Sequence, residues 1–132
     1  MPNDAADPVR VLVTGSRTWN SYRTIATALD TLHRVHGGRL VIVHGACPTG
    51  ADAIAAAWCR RHAVPQEPHR ADWRTHGRAA GPVRNAAMVH TRPALCLAFI
   101  RDASRGASHC ADLADRTGIP IRRYRHATGR SS

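Results

Sequence analysis

Ala94-Leu95-Cys96-Leu97-Ala98-Phe99-Ile100, followed at once by Arg101-Asp102-Ala103-Ser104-Arg105-Gly106-Ala107-Ser108, decides the fold. Seven consecutive apolar residues have no wet face. Such a run suits a central strand of a parallel sheet, covered on both sides. The polar, glycine-bearing stretch behind it then lies at the carboxyl edge of that sheet, where open α/β sheets bind ligands. The pattern occurs twice more. Val9 to Val13 leads into Thr14-Gly15-Ser16-Arg17, and Leu40 to Val43 leads into His44-Gly45-Ala46-Cys47-Pro48-Thr49-Gly50-Ala51-Asp52.

Between these strands the periodicity changes from two to about 3.6. From Ser21, the apolar Tyr22, Ile25, Ala26, Leu29 and Leu32 share a helical face that Gly37-Gly38 ends. Ala51, Ile54, Ala55, Trp58 and His62 mark a second helix, capped at or near Thr49. Val83 to His90 reads as a third, and Ser104 to Thr117 as a fourth, closed by Gly118 and Pro120. Val64 to His69 carries two prolines and reads as an edge strand, Asp72 to Pro82 as a long polar loop, and Ile119 to Tyr124 as the last strand. Strand and helix alternation implies right-handed parallel crossovers. The expected architecture is α/β: a Rossmann-like three-layer sandwich with a parallel five-stranded sheet, order 3-2-1-4-5, and helices on both faces. Residues 1–8 read as a flexible leader, 9–124 as a single domain, and 125–132 as a basic, polar tail.

At 132 residues the chain is of one-domain size, and its 43% hydrophobic content with clear periodicity excludes a disordered chain. No apolar run is long enough for a membrane span. The start, Met1-Pro2-Asn3-Asp4, has neither a basic nor an apolar export region, so a cytoplasmic location is expected. Cys47, Cys59, Cys96 and Cys110 show no C-x-x-C spacing; reduced thiols and no metal site are expected. The net charge of +10 comes entirely from arginine, since there is no lysine. The arginines form no block and few aromatics accompany them, which suits at most a weak contact with nucleic acid.

The loops carry the candidate chemistry. Glycine lets the backbone approach a ligand, and a helix start offers free N–H groups to an anion. Gly15, Ser16 and Arg17 form the first candidate group, though without a full G-x-G-x-x-G. Gly45 and Gly50 resemble a P-loop only in their glycines; no Lys-Ser/Thr pair follows, which argues against triphosphate hydrolysis. Asp52 suits either the helix dipole or a pair of ribose hydroxyls. In the central polar stretch, Asp72 and Trp73 combine with Arg78, Arg84 and Asn85: an indole to stack on a base, guanidiniums to hold phosphates, and an amide. Ser104, Arg105 and Gly106 complete the set.

On these residues the chain resembles the SLOG superfamily, which groups Lonely-Guy phosphoribohydrolases with DprA-type DNA-processing proteins. It is most similar to the small YspA/cpYpsA-related branch. The matching segments are Val13 to Arg17, His44-Gly45 through Asp52, Ala71-Asp72-Trp73, Gly77 to Asn85, and Ser104 to Ala107. The resemblance implies a nucleotide or nucleotide-derived ligand, a nucleotide-binding Rossmann-like fold, and a homodimer. One departure stands out. The Lonely-Guy loop Gly-Gly-x-Gly-Thr-x-x-Glu corresponds to Ala103 through Cys110, so Ala107 replaces its threonine and Cys110 its catalytic glutamate. Arg84-Asn85 is the counterpart of that family's Arg-Lys pair.

Three functions compete at this point. The first is a module that senses or sequesters an ADP-ribose or nucleoside-phosphate species, with no further cofactor. The second is a hydrolase of the N-glycosidic bond in such a ligand, with Asp52, Asp72 or Asp102 supplying the carboxylate missing at Cys110. The third is a DprA-like DNA-binding module.

Overall fold

The fold is that of a computed structural model, which describes residues 7–102 and 104–126. Most of the leader and most of the tail lie outside the described residues. Five strands, β1 (Val9–Gly15), β2 (Leu40–His44), β3 (Gln66–Pro68), β4 (Leu95–Arg101) and β5 (Ile121–His126), form one parallel sheet in the order β3-β2-β1-β4-β5. The register sets Leu12 beside Cys96 and Gly15 beside Phe99, so β1 and β4 are neighbours where the winding of the chain reverses.

Alternation along the strands divides the core. Val11, Val13, Ile42, Leu97 and Phe99 face α1 (Tyr22–His36) and α2 (Gly50–His62), meeting Ile25, Leu29, Ala55 and the fully buried Trp58. Leu12, Val43 and Cys96 point the other way, onto Met88 and Val89 of α4 (Ala80–His90) and Cys110 and Ala114 of α5 (Arg105–Arg116). Helices therefore cover both faces. The indole N–H of Trp58 donates to Asp30 Oδ1 at 2.9 Å, so its burial leaves no polar atom stranded.

Caps explain the boundaries. Ser21 Oγ accepts the Thr24 N–H at the start of α1, and Gly37 closes that helix at φ 57°. At the sheet edge, β3 keeps only three residues between Pro65 and its final Pro68, and Arg10 reaches across β2 to grip Glu67 with Nε and Nη2.

The stretch 72–82 differs from the long loop expected of it. Asp72 Oδ1 caps a short helix, α3 (Trp73–His76), by accepting the Thr75 N–H; a 3₁₀ turn (Gly77–Ala79) follows, and α4 already starts at Ala80. Pro82 reads as a helix breaker but occupies the first turn of α4, where no backbone N–H needs a partner. At the other end, β5 continues two residues past Tyr124.

Candidate functional site

The three glycine loops converge beyond the carboxyl ends of β1, β2 and β4, and Ser16 ties them together. Its backbone N–H donates to Phe99 O (2.9 Å), and its carbonyl accepts from Ala51 N at the start of α2 (3.2 Å). Its hydroxyl accepts from Arg101 N (2.8 Å) and donates to Arg101 O (3.2 Å). Ser16 is 2% exposed, so this hydroxyl is committed to the loops and has little left for a phosphate. Gly15 and Gly50 make the convergence sterically feasible. A Cβ on Gly15 would fall on Ala51 Cβ and lie 2.7 Å from Phe99 O; one on Gly50, which sits at φ 73°, would fall on Ser16 O and lie 2.6 Å from Arg17 Cα.

The second loop is shaped by side chains. Ala46 N–H donates to His44 Nδ1 at 3.0 Å, which makes that nitrogen the acceptor and leaves the proton on Nε2, donating to Gln66 Oε1 at 2.7 Å. Ala46 itself is left-handed, at φ 59°. Two residues on, the Cys47 N–H donates to Asp52 Oδ2 at 3.2 Å. Arg84 comes from α4 on the opposite face: Nη1 donates to Gly45 O (2.8 Å) and Nε to Asn85 Oδ1 (2.9 Å). Asn85 is 4% exposed and donates from Nδ2 to His109 Nδ1 on α5 at 3.1 Å. In the third loop Arg101 Nη1 donates to Thr18 O at 2.7 Å, and Asp102 is left-handed at φ 54°.

Two adjoining clefts result. The inner, about 470 Å³, is walled by Gly15, Ser16, Arg17, Asp52, Arg84, Asn85, Ser104 and Gly106. The outer, about 460 Å³, lies between Gly45, Thr49, Arg70 and Trp73 and shares Arg17, Cys47 and Arg84 with the inner one. Trp73 is 54% exposed at its mouth. The remaining sequence candidates lie elsewhere. Gly50 packs behind the wall, Asp72 caps α3 and borders a neighbouring hollow, and Arg78 and Arg105 are exposed and line none of these clefts. Asp102, one of the three carboxylates offered for hydrolysis, also lines the inner cleft, as do Thr14, Thr18, Cys47 and Arg101, for which the sequence suggested no role. For Arg101 the signal was present: it directly follows the longest apolar run, Ala94 to Ile100, and ends β4.

The electrostatics favour an anion. Arg17, Arg84 and Arg101 face the inner cleft, against Asp52 and Asp102. Asp52 is 6% exposed, and burial pushes its carboxyl above the usual carboxylate range, a rise limited by the Cys47 N–H and by Arg84. Burial and the nearby Asp52 raise the Cys47 thiol as well, which keeps it protonated and a poor nucleophile at neutral pH. Cys110 lies in the core beneath the cleft; burial pushes its thiol up to about 11, and it hydrogen-bonds Thr14. It therefore offers no replacement for a catalytic glutamate. Among the described residues, no three His, Cys, Asp or Glu side chains are grouped to hold a metal ion, and no helix is long and apolar enough to cross a membrane.

Comparison with known proteins bears on the family. The Gene 61 protein of Mycobacterium phage D29 is 47% identical over 118 residues, covering 85% of this chain and 93% of that protein. No solved structure matches. The family model described as "YspA, cpYpsA-related SLOG family" matches residues 9–76, from β1 through α3, and so takes in the first two glycine loops and Trp73. Nucleotide-related ligand binding or processing is what such membership indicates at a coarse level. The chain belongs to the YspA, cpYpsA-related SLOG family.

Proposed function

We propose that the protein binds a nucleotide or nucleotide-derived ligand at the carboxyl edge of its sheet, and that it holds this ligand rather than cleaving it. One observation carries the reading: three loops and α4 bring Arg17, Arg84 and Arg101 around a single inner cleft, with the α2 N-terminus at its wall. Guanidiniums beside the positive end of a helix together suit a phosphate. Retention without turnover follows from the core position of Cys110, whose thiol is neither a base nor a carboxylate. Hydrolysis of an N-glycosidic bond would have to rest on the two carboxyls of the inner cleft, Asp102 or Asp52, of which the buried Asp52, with its raised proton affinity, suits a general acid.

The test is titration calorimetry with AMP and ADP-ribose, followed by chromatography of the mixtures. Arg84→Ala should weaken binding by about 1.5–3 kcal/mol, the range of a charge-assisted hydrogen bond. Arg84 also ties α4 to the Gly45 carbonyl, so a modest stability loss accompanies the change. Equal affinities would remove Arg84 from the site. Release of free adenine by the wild type, abolished in Asp52→Asn, would replace the binding reading with a hydrolase.

A further inference from the structure

Arg84 does not stand between the two clefts unsupported. Arginine has donors only, so the oxygen of the Asn85 amide is the atom that accepts from Arg84 Nε at 2.9 Å. That fixes the amide, and Nδ2 points the other way, at His109 Nδ1 on α5, 3.1 Å off. An amide nitrogen donates, so Nδ1 is the bare nitrogen of the ring and Nε2 holds the proton. On its other side Arg84 Nη1 donates to Gly45 O at 2.8 Å. The guanidinium is thus held at two points, and its remaining donors are left for the clefts it lines.

Burial makes this chain of bonds sensitive to one proton. Asn85 is 4% exposed, so water does not readily replace a lost partner, whereas His109 lies at the surface of α5. A proton on Nδ1 would set N–H against N–H. Turning the amide over would satisfy the ring but set its NH₂ against Arg84 Nε–H. No orientation of Asn85 serves a donor on both sides.

Building on the nucleotide reading, we infer that His109 is a positioning residue: its neutral ring, protonated on Nε2, holds Asn85 and through it Arg84 in the orientation that meets an anion, and protonation of Nδ1 lets Arg84 turn away. The site then loses affinity for a phosphate group on acidification. Several charged groups surround the ring. Arg105 and Asp112 lie about one turn to either side of it on α5, and Asp112 is held by Arg123 of β5 at 3.0 Å. Across the helix pair, α4 carries only Arg84 and His90 as charged or titratable groups. On the sheet side, Arg125 shares the α5 face with Arg123, β4 ends in Arg101, and Arg10 of β1 is held by Glu67. The thiols of Cys96 and Cys110 lie in the core.

The experiment titrates ADP-ribose by calorimetry between about pH 5.5 and 7.5 into the full chain and its variants His109→Asn and His109→Leu. ADP-ribose is the probe because its phosphates lack the second, near-neutral ionisation of a phosphomonoester such as AMP. Asparagine places an oxygen where Nδ1 stood and takes up no proton; leucine removes the acceptor. Wild-type affinity should fall about fivefold or more from pH 7.5 to 5.5, the loss of roughly one hydrogen bond. His109→Asn should match the wild type within about twofold at pH 7.5 and show no such fall, whereas His109→Leu should start about fivefold weaker and fall no further. Protonation of Asp52 in the same cleft acts in the opposite sense, by removing negative charge, and is common to all three proteins.

Nuclear magnetic resonance reads the same chain of bonds in the protein without ligand. The ring-nitrogen shifts of His109 should show the proton on Nε2, and the Arg84 Nε–H signal should move on acidification in the wild type but not in His109→Asn. His109 is exposed, and an unchanged thermal transition confirms that the variants fold. A proton on Nδ1 at pH 7.5, wild-type affinity in His109→Leu, or the same pH profile in wild type and His109→Asn would each overturn the inference. Failure of ADP-ribose to bind at any pH would strike the nucleotide reading, and the resonance of Arg84 would then decide the role of His109 by itself.

Discussion

The two ends of the sheet are built from the same materials and use them differently. The larger hollow, about 670 Å³, is at the amino end, between α4 and α5, and is walled by Val89, Pro93, Leu113, Ile119 and Pro120. The carboxyl end has the smaller clefts and the converging arginines. Both ends also contain left-handed residues. At the amino end they close helices: Gly37 after α1, Ala63 after α2, Arg92 after α4 and Gly118 after α5. Around Gly118 the bonds Gly118 N to Asp115 O and Ile119 N to Ala114 O are those of a helix terminus. At the carboxyl end Gly77 closes the short α3, but Ala46 and Asp102 follow strands and Gly50 opens a helix, so at these three positions the unusual conformation ends no helix. It turns the backbone so that three loops meet. Cavity size marks the amino end, whereas the carboxyl end is marked by its chemistry and by a left-handed backbone that brings loops together.

Paired glycine substitutions sharpen that contrast, and they carry the largest expected effect. Gly118→Ala meets open space, so its cost is the left-handed strain alone, about 1–2 kcal/mol. Gly50→Ala meets the same strain and in addition collides with the backbone of Ser16 and Arg17, raising the cost to about 2–5 kcal/mol. Urea unfolding of both variants measures the difference. ADP-ribose binding should survive Gly118→Ala and be lost in Gly50→Ala. Equal destabilisation of the two would show that the contact between α2 and the first loop is not needed.

Much of this contrast was legible in the chain itself. Largely apolar runs of four to seven residues, each ending in a glycine-bearing polar stretch, located β1, β2 and β4, and the alternation with helices gave the strand order. Gly15, Gly45 and Arg84 could be picked from residue type because the backbone approach and the cation each need a specific side chain, or none. The rest depends on contacts distant in sequence. Ser16 reads as a phosphate donor until its hydroxyl is found on Arg101, 85 positions away. Cys110 takes the place of a catalytic glutamate by resemblance alone, and only the packing of α5 shows that position turned into the core. Residues 72–82 read as loop because Gly77, Gly81 and Pro82 outweigh helix periodicity over so short a span, while the Asp72 cap and the tolerance of Pro82 in a first turn decide the outcome.

Asp52→Asn tests whether the carboxyl end carries an electrostatic cost, with a smaller expected effect. The Asp52 carboxyl has a higher proton affinity in the folded protein than in the unfolded chain, because burial disfavours its charge. The folded state therefore holds the proton where the unfolded chain has released it. The associated stability is fully present below the ordinary carboxylate range and is lost as pH rises through the elevated folded-state value. At pH 7 the wild type bears the whole penalty. The asparagine keeps an oxygen for the Cys47 N–H and removes the charge, so stability should rise by about 1 kcal/mol, roughly 2–8 °C in Tm. The gap between variant and wild type should narrow as pH falls towards 4. A gap that widened on acidification would mean that Arg84 already neutralises Asp52 in full.

The smallest effect is expected for nucleic acid, and it bears on whether the net charge of +10 is concentrated at the functional end. Arg17, Arg70, Arg74 and Arg78 lie near the carboxyl rim, but Arg92 borders the amino-end hollow, and Arg60, Arg61 and Arg116 stand in the last turns of α2 and α5. There a cation complements the helix dipole. Arg10 and Arg123 are held by Glu67 and Asp112. A phosphate backbone laid on any one face would meet only a fraction of the nineteen arginines. Each phosphate contact contributes a slope of about −0.9 to the log-log salt dependence for duplex DNA, so a few contacts give binding that fades quickly. Fluorescence anisotropy with labelled duplex should show a weak complex at ~50 mM salt and essentially none at ~0.2 M. A nanomolar complex at the higher salt, weakened in Arg70→Ala and Arg74→Ala but not in Arg92→Ala, would show that the carboxyl rim concentrates charge for a polymer. The distinction between the two ends would then be one of partner size rather than of ligand chemistry.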